Sequence, residues 1–455
     1  MMKKKQLILL ISVVLVLSFT VSFNNADQDR RIKRVTDPAL QDIHVIKNTL
    51  RLRKKKQQYA SNEVLVKFKS SLSENEVSSL IEVYQSQKMK KIEKLDVYRI
   101  RIPERYSVEE MVYAFDRNPD VEYAEPNYIA RITATPNDTL FQEQYALHNT
   151  GQPIRVPGSP SGTPSADIKA PQGWEETKGS QATVIAILDT GIDLLHPDLQ
   201  SKIVSGGRDF VNDDFDATDD DWHGTHIAGI AAAETNNSEG IAGVAWNCRL
   251  LPVKVMHKGD PAWGYYSWIA NGIRWAADEG ADVINLSLGA PSESAVLREA
   301  LNYAKAAGVI IVASAGNDDD TVYYPAAYDE YCVAVAATDY NDERPSWSNP
   351  GPEVDVAAPG DTILSCFPTW YWGPGSYPYG YADGTSMASP HVAGLAALIK
   401  DLKPWLRPDE IMDIIRYSAE DVNSGLYPGV DEFIGYGRIN MNTALVPIKL
   451  ASSEK

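Results

Sequence analysis

The chain has 455 residues, 44% apolar and 23% charged, a globular composition with room for more than one domain. Its net charge of −18 is unevenly divided, +6 over residues 1–130 and −24 over the rest, so the larger part lacks the basic surface that nucleic-acid binding needs. Three cysteines, Cys248, Cys332 and Cys366, are too few for a disulfide scaffold. Each lies among apolar neighbours and reads as a buried thiol, with one disulfide and a leftover thiol as the alternative.

In chain order, Lys3, Lys4 and Lys5 precede an apolar run from Leu7 to Phe23. That is the shape of a secretory signal over residues 1–26, an uncleaved anchor being the alternative. It predicts a secreted protein, with retention at the cell surface left open. Residues 27–61 are polar and basic, with little periodicity, and read as a linker.

Residues 62–133 read as a small α+β unit. Glu63 to Lys69 and Leu95 to Ile102 alternate apolar and charged residues, a strand pattern. Ser73 with Glu76, and Ser107 with Glu110, are capping-box pairs that open helices reaching Tyr84 and Phe115. Val121 to Ala124 is a further strand, closed by Pro126. Strand, helix, strand, helix, strand is the order a ferredoxin-like domain requires.

Residues 134–455 carry a longer α/β pattern. Strands are expected at Ala182–Leu188, Leu250–Met256, Val283–Leu288, Val309–Ala313, Val333–Ala336 and Val354–Ala357. Helices are expected at Ile227–Ala233, Ser267–Glu279, Ser294–Ala307 and Pro408–Ser418. Apolar strands alternating with helices predict a parallel sheet covered on both faces. Gly384 to Leu402 opens with small polar residues and continues as a helix without a wet face, so it belongs in the core. Trp370 to Tyr381 is aromatic and rich in Gly and Pro, too irregular for regular structure.

Three polar residues interrupt these apolar elements. Asp189 ends a strand, His223 opens a helix and Ser386 opens the buried helix. Sites in open parallel sheets form beyond the carboxyl ends of the strands, where the three would converge. Serine is a weak nucleophile until a base takes its proton, and a carboxylate must hold the imidazole in one tautomer. Taken singly, each has a plainer reading: a turn Asp, a packed His, a capping Ser.

Taken together, Asp189-Thr190-Gly191, His223-Gly224-Thr225-His226-Ile227-Ala228-Gly229 and Gly384-Thr385-Ser386-Met387-Ala388-Ser389-Pro390 resemble the three active-site motifs of subtilisin-like serine proteases, and their order is the one known for subtilisin. The resemblance spans about Pro136 to Ala444 and is strongest to the thermitase-type branch. The unit before it is similar to the family's inhibitory propeptide. The resemblance implies Ser386 as nucleophile, His223 as base and then acid, Asp189 as its orienting carboxylate, and Asn317 with the Ser386 N–H as oxyanion donors. His226 is read as a packed neighbour. Ser287-Leu288-Gly289 matches the edge that pairs with an extended polypeptide substrate, and Tyr266 and Ile269 match a distal apolar subsite. Tyr323 stands at the primary pocket, where bulk would shrink it. Asp318, Asp319 and Asp320 beside it read either as a solvated loop or as acids that could instead favour a basic residue, and the preference stays open.

Calcium is the implied cofactor. The family's tight site would be made by Asp138, Asp198, Asn237 and the carbonyls of Glu234, Glu239 and Ile241. A second would be made by Asp209, Asn212, Asp214, Asp216 and Thr218. Oxygen-only ligands suit a hard cation. The expectation is a calcium-stabilised, monomeric serine endopeptidase made as a zymogen, with its own propeptide as intramolecular inhibitor and self-cleavage near Thr133-Ala134. The rival reading is an inactive binding protein on the same fold, which the four intact site residues oppose.

Overall fold

The computed structural model describes residues 59–129, 135–155, 160–373 and 375–446. The signal-like segment, the linker up to residue 58 and the Thr133-Ala134 junction lie outside them.

The first unit has strands β1 (Tyr59–Phe68), β2 (Gln87–Ile92), β3 (Val97–Arg101) and β4 (Val121–Tyr128), with helices α1 (Glu74–Val83) and α2 (Val108–Asp116). Its antiparallel sheet runs β2-β3-β1-β4, the ferredoxin-like arrangement. Both expected capping boxes form, Ser73 with Glu76 and Ser107 with Glu110. Val64, Val66, Ile100, Met111 and Phe115 are among the residues that close its own core. Two expectations need correction. β2 reads Gln-Lys-Met-Lys-Lys-Ile, an edge strand too charged to show apolar alternation,. Pro126 does not close β4, because β4 is the other edge and an edge strand tolerates a missing N–H,.

The second unit is built on a seven-stranded parallel sheet, β5 (Val184–Asp189), β6 (Arg208–Asp209), β7 (Arg249–Lys254), β8 (Val283–Leu286), β9 (Ile310–Ser314), β10 (Cys332–Thr338) and β11 (Val356–Pro359), in the order β11-β10-β9-β8-β5-β7-β6. Every residue of β5 is buried, and its side chains divide by alternation. Ile185 and Ile187 enter one core with α3 (His223–Ala232) and α6 (Thr385–Leu402). Val184, Ala186 and Leu188 enter the other with α4 (Tyr266–Asp278) and α5 (Ala295–Ala306). A continuous apolar strand is what two covered faces require. α7 (Pro408–Ser418) closes the first core through Ile411, Ile414 and Ile415.

The segment expected to be irregular is partly ordered. β12 (Ile363–Cys366) and β13 (Tyr379–Ala382) pair antiparallel, and the aromatic stretch is the excursion between them. All three cysteines are free and buried.

Candidate active site

β5 delivers Asp189 at its carboxyl end, paired in register with Lys254 of β7. The Asp189 side chain is 1% exposed, and its Oδ1 lies 2.7 Å from His223 Nδ1. Thr190 N donates to the same oxygen, while Oδ2 is buried without a partner. His223 is the first residue of α3. Burial alone would lower its pKa, but the carboxylate of Asp189, with Asp221 and Asp219 beyond, outweighs burial and raises it. That arrangement favours an imidazole ready to accept a proton at its other nitrogen.

The start of α3 is held by residues outside the expected set. Asp219, 1% exposed, accepts from Thr190 Oγ1, from Thr225 N and from Thr225 Oγ1. Gly224 N donates to Thr190 Oγ1. Acidic and hydroxyl oxygens thus satisfy N–H groups that a helix start leaves open. Burial pushes the Asp219 pKa up to about 6. Asp219 locks the turn bearing Asp189 to the helix bearing His223. The only hint in the sequence is the acidic run Asp219–Asp221 just ahead of His223.

Ser386 is the second residue of α6 and half-buried. Its hydroxyl donates to the Ser287 carbonyl at 3.2 Å, and among the described residues no hydrogen bond joins it to His223. Such pairs are often loose without substrate. Asn317 is exposed, and its Oδ1 accepts from Thr385 N and Thr385 Oγ1, each at 2.8 Å. Those two bonds fix the sense of the amide. A side chain placed on Gly384 would put its first carbon 3.3 Å from Asn317 Nδ2 and 3.6 Å from Ser386 N. The space beside Gly384 is therefore flanked by both expected donors, and neither donor makes a hydrogen bond among the described residues. A carbonyl oxygen that gains charge there would be stabilised without reorganisation.

The pairing of β8 stops at Leu286, so Ser287-Leu288-Gly289 run past the ladder as a rim. Tyr266 is half-buried, with its hydroxyl on Ser292 O, and Ile269 is buried on the same helix. Tyr323 packs between the rim and the Asn317 turn: added carbons on Gly289 and Gly316 would meet it at 3.0 and 3.2 Å. The neighbouring acids are engaged. Asp318 accepts from Tyr323, Asp319 pairs with Arg344 and Asp320 accepts from Thr321 N. His226 is buried and neutral, its pKa pushed down to about 3 by desolvation.

The expected metal ligands fall into two groups. Asp138 and Asp198 are buried with no Lys or Arg partner among the described residues. Burial raises the Asp138 pKa and pushes that of Asp198 up to about 6. Asp198 accepts from Ile241 N, Asn237 Nδ2 and Tyr379 OH, and Asp138 accepts from Asn236 N and Asn237 N. The loop bearing Glu234, Glu239 and Ile241 comes so close that a side chain on Gly240 would stand 2.0 Å from the Asp198 carboxylate. Two buried, cation-free carboxylates against a carbonyl-rich loop fit a hard divalent ion, provided the Asn237 amide turns its oxygen inward. In the other group, Asp209 and Asp214 meet at a β-bridge. Their loop spends its oxygens on itself: Asp209 accepts from Val211 N and Asn212 N, Asp214 from Asp216 N and Asp216 from Thr218. No cluster of three or more His, Cys, Asp or Glu able to hold a metal occurs among the described residues.

Comparison with known proteins bears on the same segments. Residues 180–437 match a model described as the Subtilase family, and residues 48–127 match the fervidolysin N-terminal prodomain. A thermophilic serine proteinase from Bacillus sp. (strain AK1) is 40% identical over 85% of this chain and 88% of its own. Thermitase from Thermoactinomyces vulgaris is 49% identical over 51% and 79%. Among solved structures, fervidolysin from Fervidobacterium pennivorans, described as a keratinolytic enzyme related to subtilisin, superposes with a TM-score of 0.58 at 27% identity, over 87% of this chain and 62% of its own.

Proposed function

From the premise that this chain belongs to the subtilase family of serine proteases and carries a fervidolysin-type prodomain, we propose that it is a secreted, self-processing endopeptidase that cleaves extended polypeptides through an acyl-enzyme. One observation supports the reading above all: Ser386 N and Asn317 Nδ2, both unpartnered among the described residues, flank one space at the start of the helix that bears Ser386, while the Asp189–His223 pair is formed.

In the proposed cycle, His223 Nε2 takes the Ser386 proton as Oγ attacks the scissile carbonyl. Asp189 holds the Nδ1 proton and stabilises the imidazolium. Asn317 Nδ2 and Ser386 N receive the oxyanion. His223 then protonates the leaving amine, and water repeats the sequence to release the acid. The acyl-side chain adds a strand to Ser287-Leu288-Gly289. Tyr323 leaves room for a small side chain before the scissile bond. Asp138, Asp198 and Asn237, with the carbonyls of Glu234, Glu239 and Ile241, would hold calcium, which supplies structural stabilisation only. The 209–218 loop is the candidate for a weaker second ion. The prodomain acts as intramolecular inhibitor, and the mature enzyme is a monomer.

The test is intact mass and N-terminal sequence of purified wild type and Ser386→Ala, prepared side by side. Cleavage near Thr133-Ala134 in wild type alone is the expected result. Cleavage of both would assign maturation to another protease. Two folded but uncut proteins would favour the inactive-binder reading.

A further inference from the structure

The excursion between β12 and β13 supplies none of the three triad residues. Residues 367–379 read Phe-Pro-Thr-Trp-Tyr-Trp-Gly-Pro-Gly-Ser-Tyr-Pro-Tyr, without one charged side chain in a chain of net charge −18. Rings of that kind are usually buried, yet Trp370 is 48% exposed, Tyr371 38% and Trp372 53%. Contiguous exposed apolar surface of this kind marks a site of interaction.

Its base is fixed to the catalytic elements. Phe367 stacks on Trp222 at 5.1 Å with 8° between the planes, and Trp222 meets the His223 ring edge-on at 5.6 Å. Phe367 in turn contacts Tyr371 and Trp372. Thr369 donates its N–H and its hydroxyl to the buried Asp193, whose own N–H is held by Thr225 of α3. The exposed rings are therefore presented from a pinned base, which is what a binding platform requires.

The sheet decides which part of a substrate they face. The acyl-side residues Ile269 and Leu288, with Tyr266 packed on them, belong to the core on one face of the sheet. Trp222, Cys366, Tyr379 and Ala382, which carry the excursion, belong to the core on the other face. Asp189 ends β5, whose side chains enter both cores, and His223 and Ser386 open helices of the core that carries the excursion. A peptide laid along the 287–289 rim and across Ser386 leaves toward the excursion. Three ring-to-ring steps, each under 6 Å, keep Trp372 within about five extended residues of His223.

Resting on the protease reading, we infer that Trp370, Tyr371 and Trp372 form an aromatic subsite for bulky apolar side chains of the polypeptide on the leaving-group side of the scissile bond. Rings stacked on rings are sequence-tolerant but select against small and charged residues.

The test uses mature enzyme and internally quenched peptides identical except at one of the first four positions after the cleaved bond, filled with Phe or Ala, the cut being located by mass. Rates are normalised to each protein's own turnover of a peptide anilide, which offers no residue there. Wild type is expected to prefer Phe over Ala at one of these positions by about three- to tenfold. Tyr371→Ala/Trp372→Ala should bring that ratio close to one, and Trp372→Phe should restore it in part. No wild-type preference at any position, or an unchanged ratio in the double variant, overturns the subsite. A uniform fall on all substrates with the ratio kept assigns the rings to folding and overturns it too. Failure of wild type to hydrolyse the anilide would fault the protease reading instead.

Discussion

Ser386 and Ser287 hold one another in both directions: Ser386 Oγ donates to Ser287 O at 3.2 Å, and Ser287 Oγ donates to Ser386 O at 2.7 Å. The second bond has its cause one turn along the helix. Pro390 lies inside α6 and has no N–H to give the carbonyl four residues back, so Ser287 satisfies it. Ser287→Ala leaves that carbonyl short of a donor, at a cost of about 1–3 kcal/mol. The expected outcome is a lower unfolding temperature and slower labelling of Ser386 by a serine-directed sulfonyl fluoride. Ser287→Thr, which keeps the hydroxyl, should recover both.

The space beside Gly384 makes a prediction about two residues at once. Asn317→Leu removes one donor and should lower kcat by about 10²–10³ with little change in KM, a magnitude known from subtilisin itself. Gly384→Ala should do at least as much, because its methyl enters the space both donors face and its φ of +147° is unsuited to a side chain,. Steady-state kinetics on one peptide anilide compare the two. Wild-type kcat in Gly384→Ala would show that the oxyanion forms elsewhere.

The pH profile follows from the raised His223 pKa. The base must be neutral to work, so activity is absent below the folded-state pKa and appears as pH rises through it. The acid limb of kcat/KM is expected above the ordinary histidine value of 6.5. Asp221→Asn removes one carboxylate that favours the imidazolium and should move that limb to lower pH. A limb unmoved by this substitution would mean that Asp221 has no electrostatic hold on the site.

Tyr323 fills the space between Gly289 and Gly316. Replacing it with Gly should shift the kcat/KM ratio for Phe over Ala before the scissile bond upward by about ten- to a hundredfold, the range a change in apolar pocket volume produces. An Arg preference appearing instead would mean that Asp318, freed of the Tyr323 hydroxyl, governs the pocket.

Calcium should appear as linkage. Ions bound only by the folded protein stabilise it by about 2.7 kcal/mol at one hundred times Kd. Thermal unfolding in chelator against millimolar calcium is expected to show a calcium-dependent rise that Asp198→Asn removes. An equal rise in Asp198→Asn would place any ion elsewhere.

Much of the fold was legible because apolar runs and capping residues act locally. The Ser73 and Ser107 boxes start helices where expected, and β5 is the unbroken apolar strand its sequence describes. Residues that act across the chain left weaker marks. Asp219 looked like one acid in an acidic run, yet it is buried between two site elements. β2 is a strand because β3 offers it a partner, not because of its own Lys-rich sequence. Pro126 signals an end only where both sides of a strand must pair. The site motifs were readable for a different reason: singly, Asp189, His223 and Ser386 read as a turn, a packed His and a cap, and only the three motifs together, in their order, resemble a known family's active site.

The three buried thiols have a use that their inertness creates. Cys248, Cys332 and Cys366 are each 0% exposed, and burial raises the pKa of each, that of Cys248 to about 12. A thiol in that state resists alkylation. Cys248 lies just before β7, Cys332 opens β10 and Cys366 ends β12. Each therefore serves as a clock for the opening of its own neighbourhood. The order in which iodoacetamide reaches them would chart how this protease comes apart, without any introduced label.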